Sequence, residues 1–318
     1  MNSRLVLHLP YAYVTRLHLP GPAVGQTEAV EWIQSVVLGL VQGLTEFLPV
    51  SSTAHLRIVP ALLNWEDPGA ATSAVIQLGT MGAVVAFFWK DLVRIAVAWS
   101  SHLSLSALKA LRQSAPEADS ATQTASPTTH DAVLGWYLIA ATIPIGFAGI
   151  MFKDQIETAA RDLRLISIML IVFGALLWWV DSALPQTKSA REFNLQSALA
   201  MGAAQALALI PGVSRSGATI AAGRVMGFSR ESAARFSFLL SVPAVVLSGL
   251  YQALGNINTE EISWGPTLVA TVVAFASGYA SIAWLLKYLA TNSMRNFALY
   301  RFLVGGPILV LALVGAIR

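Results

Sequence analysis

Apolar residues run through this chain in long stretches separated by short polar breaks, and the length of the stretches sets the first expectation. Runs at 70–89, 131–152, 163–181, 236–254, 267–290 and 297–317 are each long enough for a helix to cross a hydrocarbon core. Such a core is about 30 Å thick and takes about 20 helical residues. The pattern therefore predicts six crossings. The stretch 92–111 is apolar too, but Arg94, His102, Lys109 and Arg112 interrupt it, which suits an interfacial helix better than a clean span. Residues 113–130, rich in Ser, Thr, Ala and Pro with mixed charge, read as a solvated loop. Residues 1–27 carry Pro10, Pro20, Gly21 and Pro22 and read as a loose leader ahead of a single membrane domain, 28–318.

Two further apolar segments, 30–48 and 195–210, behave differently. Each runs into a Pro/Gly/Ser cluster before a second, shorter apolar piece begins. The first reads GLVQGLTEFLPVSST from Gly39 to Thr53, and the second reads GAAQALALIPGVSRS from Gly202 to Ser216. Gly39 and Gly202, Gln42 and Gln205, and Ser51 and Ser214 all share an offset of 163 residues. Only the prolines, Pro49 and Pro211, slip by one. A common offset at three small or polar positions signals an internal repeat, with halves at about 30–180 and 195–318. An odd number of crossings per half inverts the second copy, so that two re-entrant, broken-helix hairpins approach one centre from opposite sides. In hydrocarbon a broken helix leaves backbone groups unpaired, which is tolerable only where they line an enclosed or watery pocket. The breaks therefore mark the site, and the fold class is all-α: a polytopic membrane protein with six or more transmembrane helices.

Composition agrees with this. The chain of 318 residues is 55% apolar and 12% charged, with a mean hydropathy of +0.63, too little polar surface for a domain in water. It has no cysteine, which excludes disulfides, thiolate metal sites and thiol nucleophiles. A net charge of +3 could favour nucleic acid, but Lys and Arg lie singly between apolar runs with no basic stripe, so no nucleic-acid partner is expected.

In the first hairpin Gln42 and Glu46 are spaced i, i+4 and share one face of the helix that Pro49 ends. Alone, such a pair reads as a water-facing helix end. Between Val36 and Leu48 it is surrounded by apolar residues, where an ionisable group points to function. Ser51 and Ser52 follow, and a serine N-cap to a second helix explains one of them. His55 lies one turn into that helix. A structural histidine is the plain reading, but beside Glu46, Ser51 and Ser52 it is a candidate proton donor or acceptor. The second hairpin supplies a cation in Pro211-Gly212-Val213-Ser214-Arg215-Ser216-Gly217-Ala218-Thr219. Glycines let backbone amides approach an anion, and a guanidinium forks onto phosphate oxygens. The hydroxyls of Ser214, Ser216 and Thr219 around Arg215 favour phosphate binding over an arginine merely reaching for the interface.

The segments GLVQGLTEFLPVSSTAHL and ALIPGVSRSGATI resemble the two signature segments of the BacA/UppP undecaprenyl-diphosphate phosphatases. AVIQLGT at Ala74 to Thr80, RFSFLLSVP at Arg235 to Pro243 and ALYRF at Ala298 to Phe302 resemble further family segments, so the likeness covers most of 30–317. The resemblance implies hydrolysis of a polyprenyl diphosphate, undecaprenyl diphosphate, to its monophosphate in the bacterial plasma (inner) membrane, with the site facing the periplasm. It maps the family's acidic motif onto Gln42 and Glu46, its active-site Ser, His and Arg onto Ser52, His55 and Arg215, and supporting polar positions onto Ser51, Ser214 and Thr219. Ala54 departs from the pattern, standing where the family usually has Gly. The family is described as needing Mg²⁺ or Ca²⁺. With Glu46 as the one nearby carboxylate, such an ion is expected to accompany the diphosphate. Ser52 is the expected nucleophile, with Glu46 and His55 sharing acid and base roles in an order the residues leave open, and attack by water through the same groups is the variant. The acid phosphatase superfamily is excluded: its pattern wants a His six residues after the Ser-Arg arginine, where this chain has Ala221. The rival class is a transporter or flippase of a phosphorylated lipid, since inverted repeats with broken helices also serve alternating access.

Overall fold

The computed structural model describes residues 24–101, 127–153, 155–156, 162–254 and 262–317. Helices occupy all six positions where crossings were predicted. In order they are α1 (Val24–Phe47), α2 (Ser52–Leu63), α3 (Gly69–Phe87), α4 (Trp89–Ser101), α5 (Pro127–Met151), α6 (Leu163–Ala183), α7 (Leu195–Leu207), α8 (Arg215–Val225), α9 (Arg230–Leu254), α10 (Trp264–Thr291) and α11 (Arg295–Leu313). Among the described residues, α5, α6, α10 and α11 are each long and apolar enough to cross a membrane. α3 and α4 together make a fifth such span, bent by 75°. α9, with 25 residues, is about 38 Å long and has the length for the sixth.

Local chemistry starts several of these helices. The Asp162 carboxylate accepts from the amides of Arg164 and Leu165 at the head of α6. Asn194 and Ser197 form a reciprocal capping pair at the head of α7. α5 begins at Pro127, inside the predicted loop 113–130, because proline at a first helical position forfeits only an amide that has no partner anyway. α1 likewise begins at Val24, inside the predicted leader; residues 1–23 of that leader, 102–111 of the predicted interfacial helix and 113–126 of the predicted loop lie outside the described residues. The run 70–89 ends early, at a sharp turn between Phe87 and Trp89, and α4 departs from it as a separate helix.

Burial is reversed relative to a protein in water. Ile143, Phe147 and Ile150 on α5, Leu268 and Val272 on α10, and Leu303 and Val310 on α11 are all exposed, while Gln42, Glu46, Gln205, Arg224 and Arg301 are buried. Lipid tolerates the apolar exterior, and the interior polar groups must find partners inside.

The contacts reveal the inversion. Trp32 lies against Gly265, Gly39 against Ala270 and Phe47 against Gly278, so α1 runs parallel to α10 from the end where α10 starts. The second hairpin starts at the other end, where Phe193 stacks on Phe228 and Phe236 near the start of α9. At that same end Asp181 of α6 pairs with Arg230 of α9 and accepts from Ser293 and the Met294 amide before α11. Arg94 of α4 pairs there with Asp131 of α5, and Arg235 of α9 with Asp91. The two hairpins thus enter from opposite ends. Each leans on a helix of the other half, α1 on α10 and α7 on α5. The repeat-related glycines make these contacts: a Cβ on Gly39 would overlap the Ala270 carbonyl, and one on Gly202 the Ala141 carbonyl.

Candidate active site

Both helix breaks are built the same way. After α1 ends at Phe47, the chain turns through Leu48, Pro49 and Val50 to Ser51, which adopts φ 76° and ψ 98° and caps α2 by accepting the Ala54 amide at 3.4 Å. After α7 it turns to Ser214, with φ 75° and ψ 119°, which caps α8 by accepting the Gly217 amide at 3.1 Å. Positive φ at a residue bearing a Cβ costs energy, and both sites accept that cost to aim a new helix from mid-membrane. The 163-residue offset therefore extends from sequence to backbone conformation.

The first residue of each new helix, Ser52 in α2 and Arg215 in α8, reaches Glu46. The Ser52 hydroxyl donates to Glu46 Oε2 at 2.5 Å. The Arg215 guanidinium reaches Glu46 Oε1, also at 2.5 Å, across 169 residues of chain. Gln42 donates to Oε2 at 3.0 Å and to the Thr80 hydroxyl at 3.3 Å, so the i, i+4 pair on α1 does meet on one face. A carboxylate held by three donors with a serine hydroxyl on one oxygen is arranged to take that hydroxyl's proton.

The other candidate residues fall into place around this centre rather than in it. Ser216 donates to the Leu48 carbonyl at 3.0 Å, joining the second hairpin to the break in the first. Ser51 and Ser214 are buried caps. Thr219 is fully buried and directed at α9, bonded to the Arg215 carbonyl and to Ser237. His55 lies on α2 but turns away from the serine: one ring nitrogen is 2.7 Å from the Ser51 carbonyl and the other 2.7 Å from the Tyr300 hydroxyl. Helical spacing placed His55 on the Ser52 face, but a neighbouring carbonyl and α11 decide where its ring points.

Two residues of α11 escaped the sequence reading. Arg301 is fully buried, and its guanidinium donates to the carbonyls of Leu170, Met169, Pro49, Gly212 and Val213 at 2.8–3.2 Å. Pro49 and Gly212 are 163 residues apart, so one side chain satisfies equivalent carbonyls in both breaks, the groups a broken helix leaves bare. A signal existed, since an arginine inside the run 297–317 is costly in lipid unless it has work to do. Tyr300 carried no such cost, and only its place in the family-like segment ALYRF pointed to it.

A carboxylate-based cation cage does not fit this centre. Among the described residues no three His, Asp or Glu side chains converge, and both oxygens of Glu46 are already engaged by Arg215, Ser52 and Gln42.

Comparison with known proteins shows the family. A family model described as Bacitracin resistance protein BacA matches residues 35–307, which contain both hairpins and α11 as far as Pro307. The chain belongs to the BacA family. It is 45% identical over 300 residues to undecaprenyl-diphosphatase 2 of Streptomyces avermitilis, covering 91% of this chain and 97% of that protein. It is 48% identical over 290 residues to undecaprenyl-diphosphatase of a Nocardioides species, covering 91% and 99%. With undecaprenyl-diphosphatase of Thermobifida fusca it shares 49% identity over 282 residues, covering 89% and 90%. BacA membership and the candidate spans make this a multi-pass membrane protein.

Proposed function

We propose that this protein hydrolyses undecaprenyl diphosphate to undecaprenyl phosphate and inorganic phosphate, returning the lipid carrier to envelope synthesis. The observation that carries the reading is the Ser52–Glu46–Arg215 cluster, assembled from two hairpins at the level where the helices break. The starts of α2 and α8 add the positive ends of two helix dipoles to the Arg215 charge, a setting that favours a phosphate.

On this reading the terminal phosphoryl group displaces Glu46 from part of the Arg215 fork, and Arg215 neutralises charge growing on the transferred oxygens. Ser52 Oγ attacks the terminal phosphorus while its proton passes to Glu46 Oε2. The bond from phosphorus to the bridging oxygen breaks, and undecaprenyl phosphate leaves with that oxygen. Water then attacks the phosphoserine, releasing phosphate and restoring the Ser52 hydroxyl. The 2.5 Å contact of Ser52 with Glu46 favours Glu46 over His55 as the base. Purified protein in detergent should release phosphate from undecaprenyl diphosphate, and acid quenching should trap phosphate on Ser52; turnover without such a trapped species would assign the attack to water. Mg²⁺ or Ca²⁺ arrives, in this proposal, with the diphosphate. Calorimetry should then show cation uptake only when a diphosphate analogue is present.

We also propose an orientation within the bacterial plasma membrane. The end formed by the α3–α4 bend and the starts of α5, α7, α9 and α11 carries Lys90, Arg94, Lys188, Arg191, Arg230, Arg235, Lys287 and Arg295. Among the described residues, the opposite end has Arg57, Lys153 and Arg164. The positive-inside rule assigns the first end to the cytoplasm, so that the hairpin bearing Glu46 and Ser52 enters from the periplasmic side. In this cysteine-free chain, Cys at exposed Thr53 should react with an impermeant maleimide applied from outside. Labelling from inside alone would reverse the orientation.

A further inference from the structure

His55 has both ring nitrogens engaged, and its two partners differ in kind. The Ser51 carbonyl can only accept, so Nδ1 carries a hydrogen whatever the charge on the ring. Nε2 faces the Tyr300 hydroxyl, which can donate to a bare nitrogen or accept from a protonated one. Tyr300 is therefore the partner of His55 that accommodates both protonation states. The rings stack, with centroids 5.5 Å apart and planes 12° from parallel. His55 is buried at 6% exposure while Tyr300 is 41% exposed, so the phenol stands between the imidazole and the outside of the helix bundle.

We propose that Tyr300 is a positioning residue for the phosphatase reaction: its hydroxyl fixes the orientation of the His55 ring and partners Nε2 in either protonation state. The proposal rests on the share in acid and base catalysis that the BacA/UppP resemblance implies for His55. When the ring is neutral, Tyr300 donates and Nε2 is an acceptor. When Nε2 takes a proton, the phenol rotates to accept, and no other rearrangement is needed. Arg301, the next residue on α11, is tied to five carbonyls and holds the backbone that presents Tyr300.

The test uses the whole protein in detergent, with histidine labelled by ¹⁵N, and three forms: wild type, Tyr300→Phe and His55→Gln. His55→Gln identifies the His55 signals by their loss. Neutral His55 in the wild type should be protonated at Nδ1, and Tyr300→Phe should shift its Nε2 resonance. Turnover of undecaprenyl diphosphate by Tyr300→Phe should fall about tenfold in kcat, as loss of one hydrogen bond allows, with KM within about twofold. A neutral wild-type ring with its hydrogen on Nε2 overturns the proposal without any variant. So does Tyr300→Phe with either an unshifted resonance or an unchanged kcat. Wild-type turnover by His55→Gln would instead remove the underlying role of His55, a result distinct from an impaired His55→Gln beside a normal Tyr300→Phe.

Discussion

The first hairpin places a carboxylate at position 46, and the second places Leu209 at the equivalent position. The first begins its inner helix with Ser52, the second with Arg215. Gln42 is held by Glu46 and Thr80, whereas its counterpart Gln205 is equally buried with no partner for either end of its amide among the described residues. The caps, the positive-φ serines and the close helix contacts are common to both. Duplication thus supplied a scaffold that aims two helix starts at one point, and a few side chains divided the labour. On the proposed mechanism, proton handling falls to one copy and anion binding to the other.

Substitutions at five residues would break or sharpen that comparison. The largest effect is expected from Arg301→Ala, which strips a common support from both hairpins. Each buried carbonyl left bare costs about 1–3 kcal/mol, and several together rival a total stability of about 5–15 kcal/mol. The variant should fail to accumulate as a monodisperse species on size exclusion, and a normal melting curve would show that the breaks do not need it.

Next come Ser52→Ala and Arg215→Ala, one in each hairpin. Ser52→Ala should cost at least about 10⁴-fold in phosphate release, as loss of a nucleophile does. Arg215→Ala should cost about 10²–10³-fold, as loss of a transition-state donor does. Arg215→Lys should recover only part of this, because an ammonium lacks the planar fork. Wild-type release by both alanine variants would sink the site assignment.

Smaller effects separate the two glutamines. Gln42→Leu removes a neutral donor from a charged acceptor, a contact of about 1.5–3 kcal/mol, so activity should fall about 10- to 100-fold in a phosphate-release assay. Gln205→Leu removes an amide whose burial without partners costs about 1–3 kcal/mol. Its activity should be unchanged and its melting temperature should hold or rise by about 2–4 °C. Equal damage from both substitutions would mean that the second glutamine has a task the static contacts do not reveal.

Much of this is legible in the sequence, for physical reasons. Runs of apolar residues report helices in lipid because length and hydropathy are local properties. A Pro/Gly/Ser cluster inside such a run reports a break because an unpaired backbone in hydrocarbon demands an explanation. The helix beginnings at Val24 and Pro127 were misplaced because a helix can extend beyond its apolar face, where periodicity carries no signal.

The sequence by itself determined the repeat, the serine caps and the presence of Glu46, Ser52 and Arg215 within a few residues of the breaks, since spacing and residue chemistry are written along one chain. Only the tertiary structure decided that Ser52 and Arg215 share one carboxylate, that His55 turns to Tyr300, and that Arg301 closes both breaks. Those pairings join α1 to α8, α2 to α11, and α11 to both turns. They depend on how closely separate helices approach, and that distance is set by packing between segments remote in sequence.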